Sequence, residues 1–454
     1  MPPRFLLSRR TVLALAGAAG ALPVTGGSQR WAQAISKVAA QPGDSTVLNA
    51  ADFALVGDGK TDDSGALQSA VDAAAAQQLP LIIPPGTYAV TKSIEFRPNS
   101  FTSAYGARLV TFIPDLGDPG TSFPTVRISD VENVSIHGLE VDGRKDSFDH
   151  SQWKHGFALN NTRNVWLYHC RANRCKGDGV ILENKNIGDV CVDTLVESCS
   201  FGQNYRMGGT ASGALRARFQ SCVFWGTVGT KPMCGFDVEP DRADVTCQDV
   251  SFYQCDFIDN GIIGSGEGYG FNVSFFPDAT GSQRGVYLEN CTFARNGAAG
   301  IDLYRVPRNV ELNNCFIYDN AQDGIRVMAD AADILVQGGK ISSNGQHGLH
   351  CAAAANAPCE NIIIDSVEIT SNGWRDTQPK DGIHLNNVVD SITVSSCTVS
   401  NSSGYGLFVG PTVTNLTLSD SVFTDNNLGD VFPDIDIADL DEEGIDREFR
   451  TSLW

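Results

Sequence analysis

The chain has 454 residues, of which 33 are Lys or Arg and 53 are Asp or Glu, so its formal net charge is −20. So acidic a chain is a poor match for a nucleic-acid-binding protein, which needs clustered Lys and Arg to neutralise phosphates. No apolar run reaches the roughly 20 residues of a membrane-spanning helix, so no integral membrane segment is predicted in the mature chain.

Residues 1–34 have the features of an export signal. Three Arg residues among the first ten precede a short apolar stretch at 12–24, and residues 32–34 read Ala-Gln-Ala, which suits signal peptidase. Arg9 and Arg10 lie in a segment that resembles the twin-arginine export motif; an ordinary secretory signal is the alternative. We expect a periplasmic or secreted protein, exported by the twin-arginine pathway.

The next predicted element is a helix at about 62–76. Thr61 to Ser64 supply capping residues, an Ala-rich amphipathic stretch follows, and Pro80 prevents continuation of the helix. A strand at 81–83 and a turn at 84–88 come next. Such a helix can cover the open end of a β-sheet stack, whose unpaired edge would otherwise promote aggregation.

A pattern then repeats eleven times at intervals of 23 to 36 residues. Each copy has an alternating strand, a central residue that is usually small, a branched or aromatic residue two positions later and, in most copies, an Asn five positions later. The copies centre on Leu139, Cys170, Cys199, Cys222, Cys255, Cys291, Cys315, Gly339, Val367, Cys397 and Ser421. Short strands and turns at this period indicate a β-solenoid.

The predicted fold is therefore all-β: a single-domain parallel β-helix with a short N-terminal capping helix. It should span residues 35–429, with coils at about 125–426. Residues 430–454 carry nine acids and two Arg, which predicts an acidic tail or C-terminal cap.

Stacking the coils at the ~4.8 Å spacing of β-strands brings equivalent residues into ladders. The repeated Cys should form an inward-facing ladder of small apolar side chains. The repeated Asn should form a turn ladder, in left-handed conformation and with amides bonded between coils. We expect most of the 13 cysteines to be reduced and buried; a disulfide framework is the alternative.

Several copies continue into a second short strand that begins after a Gly, as in residues 300–304. If Ile301 and Leu303 face inward, Asp302 and Tyr304 face outward. The same register gives a first outward column of Ala158, Ile181, Thr210, Asp237, Asn272, Asp302, Arg326, His350 and His384. It also gives a second column of Asn160, Glu183, Ser212, Glu239, Ser274, Tyr304, Met328, Ala352 and Asn386.

From Asp237 onward these columns collect groups suited to acid–base chemistry and anion binding. The catalytic candidates are Asp237, Glu239, Asp302 and Tyr304. The substrate-binding candidates are Glu183, Arg206, Lys231, Asn272, Arg326, His350 and His384. The alternative is that outward positions are polar only because they contact water. His155 and His347 are interpreted as surface residues in turns, and Asp178 as a turn residue.

No cofactor is predicted with a defined set of ligands. Calcium is compatible with so acidic a chain, but no group of carboxylates has the spacing of a calcium loop. No metal ligand is therefore assigned from the sequence, and the oligomeric state stays open.

The segment 56–63, which reads Val-Gly-Asp-Gly-Lys-Thr-Asp-Asp, the helix after it and the Pro-Pro-Gly-Thr-Tyr of 84–88 resemble the N-terminal signature of the pectate-lyase-like superfamily. The resemblance covers about 49–98, and the repeats extend it to about 426. It implies a right-handed β-helix that acts on polysaccharides. The Gly-His-Gly and Arg-Ile-Lys motifs of polygalacturonases and the Asp-Pro-His-Glu motif of alginate epimerases are absent. Residues 235–240 are similar to a coil seen in many β-helix proteins.

Three classes of function remain. The first is a hydrolase with paired carboxylates, because Asp237 and Glu239 have Cα atoms roughly 6.6 Å apart and Asp237 and Asp302 about 9.6 Å apart, near the ~6.5–9.5 Å of inverting glycosidases. The second is a lyase or C5-epimerase of a uronic acid, with Arg326, His350, Tyr304 and Lys231 as cation or base. The third is a non-catalytic carbohydrate-binding protein. Hydrolysis of a uronate-containing polysaccharide or oligosaccharide is ranked first.

Overall fold

The structure is a computed structural model that describes residues 47–113, 123–147, 152–276, 282–328, 330–353, 357–386 and 389–432. The predicted export signal and nearly all of the predicted acidic tail lie outside these residues. The contacts divide the chain into residues 1–48 and 49–454, and the description below concerns the second unit. In the described part of the chain, no helix is long and apolar enough to cross a membrane.

Residues 49–454 fold as stacked coils, and each complete coil contributes one strand to each of three long parallel sheets. A two-residue strand, β1 (Leu48–Asn49), falls at the division between the two units. In stacking order, the first sheet continues with β3 (Leu81–Ile82), β6 (Ser100–Ser103), β9 (Glu132–His137), β12 (Arg163–Tyr168), β15 (Cys191–Glu197), β18 (Ala214–Gln220), β21 (Cys247–Tyr253), β24 (Gln283–Glu289), β27 (Arg308–Asn313), β30 (Ala332–Gln337), β33 (Cys359–Asp365), β36 (Val389–Ser395) and β39 (Val413–Ser419).

The second sheet has fourteen strands. They are β2 (Asp58–Asp62), β4 (Gly86–Val90), β7 (Ala107–Thr111), β10 (Glu140–Asp142), β13 (Arg171–Asn173), β16 (Ser200–Gly202), β19 (Val223–Trp225), β22 (Asp256–Ile258), β25 (Thr292–Ala294), β28 (Phe316–Tyr318), β31 (Lys340–Ser342), β34 (Glu368–Thr370), β37 (Thr398–Ser400) and β40 (Val422–Thr424).

The third sheet carries the candidate site. Its strands are β5 (Ile94–Glu95), β8 (Val126–Ser129), β11 (Phe157–Asn160), β14 (Val180–Glu183), β17 (Gly209–Ala211), β20 (Phe236–Val238), β23 (Phe271–Ser274), β26 (Ile301–Arg305), β29 (Ile325–Met328), β32 (Leu349–Ala352), β35 (Ile383–Asn386), β38 (Tyr405–Val409) and β41 (Gly429–Phe432). The predicted all-β solenoid is confirmed, and its strands begin well before residue 125.

The helix α1 (Ser64–Gln77) lies at the N-terminal end of this stack, where a cap was predicted. It buries Leu67, Ala70, Val71 and Ala74 and packs against β3, β5 and a short 3-10 helix, Ala50–Phe53. Because β5 is the terminal strand of the third sheet, α1 covers that end. Of the residues predicted as a turn at 84–88, the last three instead begin β4, which pairs with β7.

The Asp-rich segment before α1 is held by its own carboxylates. Asp63 accepts hydrogen bonds from the amides of Val56 (2.7 Å) and Gly57 (3.1 Å), and Asp58 accepts from those of Lys60 and Thr61. Asp63 therefore fixes the preceding loop and does not cap α1 with its side chain.

The interior of the solenoid is built from ladders of like residues, as the repeat predicts. In the second sheet Phe201, Phe224, Phe257 and Phe293 stack in succession, with ring centroids 4.8–5.5 Å apart. Fully burying each such ring contributes about 1.5–3 kcal/mol. All 13 cysteines are buried and free, which agrees with the predicted thiol ladder.

The Asn ladder is confirmed in its bonding, but its predicted conformation was wrong. Asn296 donates from Nδ2 to Oδ1 of Asn320 at 2.9 Å, and Asn320 does the same to Asn344 at 2.9 Å. The left-handed residue is the one before each Asn, for example Arg295 (φ 56°) and Asp319 (φ 58°). The turn is thus made by an exposed neighbour, which leaves the Asn amide to point into the coil.

Candidate functional site

The first predicted column exists in the predicted order. Backbone pairing across the third sheet aligns Ala158, Ile181, Thr210, Asp237, Asn272, Asp302, Arg326, His350 and His384. These residues lie on the outer side of strands whose alternate residues, such as Ile301 and Leu303, are fully buried in the core. Successive members of the column are spaced about 4.8 Å apart, one per coil.

The central acids of this column are buried, although their position predicted contact with water. Asp237 and Asp302 are each 1% exposed, and Asn272 is 7% exposed. The outer row is covered because neighbouring side chains fold over it: the guanidinium of Arg326 closes over Asp302. The alternative interpretation was that these outward positions are polar only because they contact water. The burial of Asp237, Asn272 and Asp302 does not fit that interpretation.

The second predicted column is interrupted at Tyr304. A β-bulge makes Ser274 pair with Arg305 instead of Tyr304, so the predicted register was wrong there. Tyr304 is 50% exposed. Because the bulge shifts the register by one residue, Tyr304 leaves the row that contains Ser274 and Glu239, which removes the basis for its catalytic role.

Arg206 lies at the centre of a group of acids at the N-terminal part of the face. Its Nη1 is 3.0 Å from Oδ2 of Asp178, and Thr210 donates to the same oxygen at 2.9 Å. Burial alone would lower the pKa of Arg206, but Asp178, Asp237, Glu239 and Asp241 outweigh it and raise that pKa. We call His155, Asp178, Arg206, Thr210, Asp237 and Glu239 the Arg206 cluster.

His155 and Glu183 complete the wall of this cluster. The amide of Asp178 donates to Nδ1 of His155 at 3.0 Å, so the hydrogen of the neutral ring is on Nε2. Burial lowers the pKa of His155 to about 4, which keeps the ring neutral near pH 7. Its Nε2 lies 3.9 Å from Oε1 of Glu183, and Lys185 is 2.8 Å from the other oxygen of Glu183.

Asp237 has an unusual carboxyl group. Asn272 donates to its Oδ1 at 2.7 Å, and among the described residues its Oδ2 has no hydrogen-bond partner. Burial and then the charge of Glu239 raise the pKa of Asp237 well above its usual range. A carboxyl group of this kind holds its proton towards neutral pH and can donate it.

Asp302 and Arg326 form a separate ion pair. Nε and Nη2 of Arg326 lie 2.8 and 2.9 Å from the two oxygens of Asp302, and Nη2 also donates to the hydroxyl of Tyr269 at 2.9 Å. This two-pronged contact engages Arg326 strongly. Arg326 is therefore a weaker candidate for binding a sugar carboxylate than the sequence suggests.

His350 and His384 belong to a third group, near the C-terminal end of the face. Nδ1 of His350 is 3.2 Å from Oδ2 of Asp323, and Nδ1 of His384 is 2.6 Å from Oδ2 of Asp381. His347 packs against both rings. We call these five residues the histidine cluster.

Lys231 is not brought into any of these groups. Its side chain is exposed, and its Nζ is 3.5 Å from Glu267. Two surface depressions have volumes of 310 and 510 Å³. Asp130 and Arg163 are among the residues that line the first, and Asp249 and Arg284 among those that line the second. Neither depression is lined by a candidate site residue. The candidate chemistry therefore lies in the shallow face of the third sheet.

Sequence reasoning missed a column beside the predicted ones that is buried except at Tyr405. The residue directly before each repeat Gly is aligned coil by coil: His155, Asp178, Met207, Cys234, Tyr269, Ala299, Asp323, His347, Asp381 and Tyr405. His155 and His347 were predicted at the surface, but they are 1% and 7% exposed. The repeated dipeptides Asp-Gly and His-Gly could have revealed this column.

Comparisons with known proteins agree with this architecture. A family model described as "Right handed beta helix region" matches residues 278–423. A second, described as "Rhamnogalacturonase A/epimerase, pectate lyase-like", matches residues 47–113. The fold is a right-handed parallel β-helix. No curated protein matches the sequence significantly.

Solved structures share the fold at low sequence identity. The A-module of a mannuronan C-5 epimerase from Azotobacter vinelandii is 18% identical, with 84% of this chain and 96% of that chain covered and a TM-score of 0.57. A surface adhesin of Streptococcus pneumoniae is 14% identical, with 85% and 93% covered and a TM-score of 0.55. The Dettilon tailspike protein is 14% identical, with 85% and 68% covered and a TM-score of 0.52. At these identities the likeness concerns the fold alone.

Proposed function

We propose that the protein is an exported carbohydrate-active enzyme that hydrolyses glycosidic bonds at the Arg206 cluster. The observation that carries this proposal is the state of Asp237: a buried carboxyl group with a raised pKa and one oxygen without a hydrogen-bond partner among the described residues. Hydrolysis of a glycosidic bond needs a protonated acid at the leaving oxygen. The raised pKa of Asp237 supplies the protonated form of the acid.

Glu239 is the partner carboxylate in this proposal. It follows Asp237 by two residues at the end of β20 and is only half-buried, so it is open to water. The Cα atoms of two residues so spaced along an extended chain lie roughly 6.6 Å apart, and an inverting reaction needs carboxyl groups about 6.5–9.5 Å apart with a water molecule between them. Glu239 would activate that water while Asp237 protonates the leaving group.

Arg206 and His155 support the pair. Arg206 compensates the negative charge of several acids at once. His155, held neutral, offers Nε2–H as a hydrogen-bond donor at the wall of the cluster. Trp153, whose ring lies 5.0 Å from the guanidinium carbon of Arg206, adds an aromatic surface of the kind on which sugar rings pack.

The proposed substrate is a uronate-containing polysaccharide. Arg206 and Arg326 are both engaged by buried aspartates. The more exposed Lys185 and Lys231, whose ion-pair partners are Glu183 and Glu267, are the cations proposed to meet a sugar carboxylate. The structural likeness to a mannuronan C-5 epimerase is a reason to include polymannuronate among the substrates tested, next to polygalacturonate and neutral glycans.

A second candidate is β-elimination or C5-epimerisation of a uronic acid. It is favoured by His350, whose Nδ1 faces Asp323; a ring that donates Nδ1–H to a carboxylate has Nε2 free as a base. Abstraction of the C5 proton is the first step of both reactions. A non-catalytic carbohydrate-binding protein is the third candidate.

One assay separates these candidates. The mature chain is incubated with the glycan panel while reducing ends, the ultraviolet absorbance of unsaturated uronates and solvent deuterium at C5 are followed. We expect new reducing ends without new absorbance, as hydrolysis requires. Absorbance would indicate elimination, deuterium without cleavage would indicate epimerisation, and binding with no product would contradict an enzymatic function.

The Asp237→Asn variant tests the assignment of the acid. Loss of the proton donor should reduce turnover about 10²–10⁴-fold, while the near-identical shape of Asn leaves the melting temperature within a few degrees. Asp256→Asn, on the second sheet, is the matched control and should keep full activity. An Asp237→Asn variant that is folded and fully active would assign the acid to another residue.

A further inference from the structure

The 510 Å³ depression lies on the outer side of the first sheet, away from the candidate face. Four successive strands of that sheet, β21, β24, β27 and β30, supply its lining. We call five of the lining residues the Arg284 site: Asp249, Arg284, Tyr287, Arg308 and Asp333. A cavity of this volume is within the usual range of small-molecule sites.

We propose that the Arg284 site binds a uronic acid residue of an acidic glycan, with the sugar carboxylate on the two arginines and the sugar hydroxyls on the two aspartates. The site lies on a different sheet from the Arg206 cluster. The inference therefore does not rest on the proposed hydrolysis, and either of the two can fail alone.

The two arginines of the site are neighbours without a counter-ion among the described residues. Each lies two residues before a valine, and these valines, Val286 and Val310, pair across β24 and β27. The Cα atoms of Arg284 and Arg308 are therefore about 4.8 Å apart, one strand spacing.

This lack of an acidic partner is uncommon among the arginines of so acidic a chain. In the described part of the chain, nine arginines form an ion pair with an aspartate, whereas Arg284 and Arg308 form none. An anion between the two guanidinium groups would relieve their repulsion. A guanidinium group binds a carboxylate through two parallel hydrogen bonds, which makes a carboxylate a suitable anion.

Tyr287 adds a hydrogen-bond donor beside the arginines. Nδ2 of Asn309 donates to its hydroxyl oxygen at 3.1 Å, so the hydroxyl hydrogen stays available to a ligand. The charge of Arg284 opposes the rise that burial causes in the pKa of Tyr287, as expected of two groups that face one space. Gly285 keeps this space open, because a Cβ there would come within 3.2 Å of the Tyr287 hydroxyl and 2.8 Å of Oδ1 of Asp249.

The two aspartates decide which kind of anion fits. Asp249 accepts a hydrogen bond from Gln248 at 3.4 Å, and Asp333 accepts one from Asn361 at 2.7 Å, each through one oxygen. The other oxygen of each can accept from a hydroxyl group, whereas both carboxylates repel a small inorganic anion. A uronic acid has a carboxylate for the arginines and hydroxyls for the aspartates, so it matches both parts of the lining.

A second site for uronates would hold the protein on an acidic polymer. Such a polymer repeats its carboxylates, so one stretch can bind at the Arg284 site while another reaches the third sheet. Attachment at one site raises the effective concentration of the polymer at the other. This consequence, unlike binding itself, rests on the proposed function.

The test is protection of the two arginines from phenylglyoxal, which modifies guanidinium groups. The full mature chain is treated alone and with galacturonate, mannuronate, galactose, mannose or inorganic phosphate at equal ionic strength, and modified peptides are measured by mass spectrometry. The free sugars contain no glycosidic bond, so turnover does not interfere. We expect at least one of the two uronates to protect Arg284 and Arg308 more than its neutral counterpart and phosphate do.

Variants test the named contacts, with Arg308 as the reporter. In Arg284→Gln the uronate concentration that halves the modification rate of Arg308 should rise about tenfold, as expected for the loss of a charge-assisted hydrogen bond at a site open to solvent. Tyr287→Phe, which removes only the hydroxyl, should raise it about threefold. Thermal melting verifies that both variants fold.

Arg171→Gln is the matched control. Arg171 is an exposed arginine of β13 on the second sheet, and its replacement changes the net charge equally, so the protection of Arg308 should not change. Absence of protection by both uronates overturns the proposal. Equal protection by phosphate would indicate an adventitious ion only, and equal protection by the neutral sugars would exclude a role of the carboxylate; both overturn it. An equal shift in Arg171→Gln and Arg284→Gln, or none in folded Arg284→Gln, does so as well. Asp237→Asn should leave the protection unchanged, whether or not Asp237 is the catalytic acid.

Discussion

His137 is held in an aromatic cage on the first sheet, and its protonation links pH to the stability of the chain. Phe101 and Trp166 lie 4.8 Å from its ring centroid and Tyr168 lies 5.3 Å away, while Nε2 is 2.7 Å from the hydroxyl of Ser135. Burial, and then the proximity of His169, lowers the pKa of His137 to about 4.

Acid should therefore destabilise the protein through His137. An unfolded chain protonates the residue at about pH 6.5, whereas the folded chain resists until about pH 4, so stability is lost as the pH falls between these values. At pH 5 the loss amounts to about 2 kcal/mol. The free energy of unfolding is measured in urea at pH 7 and at pH 5. Its decrease between these pH values should be about 2 kcal/mol smaller in His137→Gln than in the unaltered chain. If the free energy of unfolding changed equally with pH in the variant and in the unaltered chain, protonation of His137 would not be the cause.

The residues at the site illustrate what a single strand pattern can and cannot predict. The alternation around Asp302 correctly placed its side chain outside the coil. Its burial depends on Arg326, one coil further, and on Tyr269, from a different column. Such neighbours decide whether an outward residue contacts water, and the two-residue alternation of a strand does not specify them. The same reason explains the wrong surface assignment of His155 and His347.

At the scale of the element, the Asn ladder joins consecutive turns. Asn320 uses its whole amide: Nδ2 donates to Phe293 O at 3.0 Å and to Asn344 at 2.9 Å, and Oδ1 accepts from the amide and Nδ2 of Asn296. Every partner is buried, so water cannot replace a lost bond.

Asn320→Ala should therefore cost much more than one net hydrogen bond. The change leaves buried donors on Asn296 and a carbonyl at Phe293 unpaired, and each such group costs about 1–3 kcal/mol. We expect a loss of about 2–5 kcal/mol in the free energy of unfolding. The control is Asn313→Ala on β27, which should stay within about 0.5 kcal/mol. Equal effects of the two changes would exclude the ladder as a source of stability.

Element positions were predictable where the repeat is regular and failed where it is not. The eleven copies centred on Leu139 to Ser421 match eleven successive strands of the second sheet, β10 to β40. The bulge that pairs Ser274 with Arg305 adds one residue to the strand. The apolar–polar alternation on either side of it is unchanged, so the pattern did not indicate it. The register predicted for Tyr304 was wrong for that reason, so its catalytic role loses that support; the catalytic roles of Asp237 and Glu239 stay predictions.

At the scale of the whole molecule, the core is not uniform along the solenoid. Its aromatic part is formed by fully buried rings from all three sheets: Phe201, Phe219, Phe224, Phe236, Phe252, Phe257, Phe271 and Phe293. Beyond residue 300 the core positions are mainly Ile, Leu and Val, as at Ile362 and Val394. Because each coil of a solenoid contacts only its neighbours, local stability should follow this gradient.

The cysteines report on that gradient, because they are distributed from Cys170 to Cys397 and all are buried. Burial raises the pKa of Cys191 and Cys247 to about 12, so a thiol reagent that needs a thiolate should not modify them in the native protein. With increasing denaturant, peptide mass spectrometry should detect labelling of Cys397 before that of Cys255, which lies among the Phe residues. Labelling of all sites at one midpoint would instead indicate a single cooperative unit, and intact disulfides in place of thirteen free thiols would contradict the reduced ladder itself.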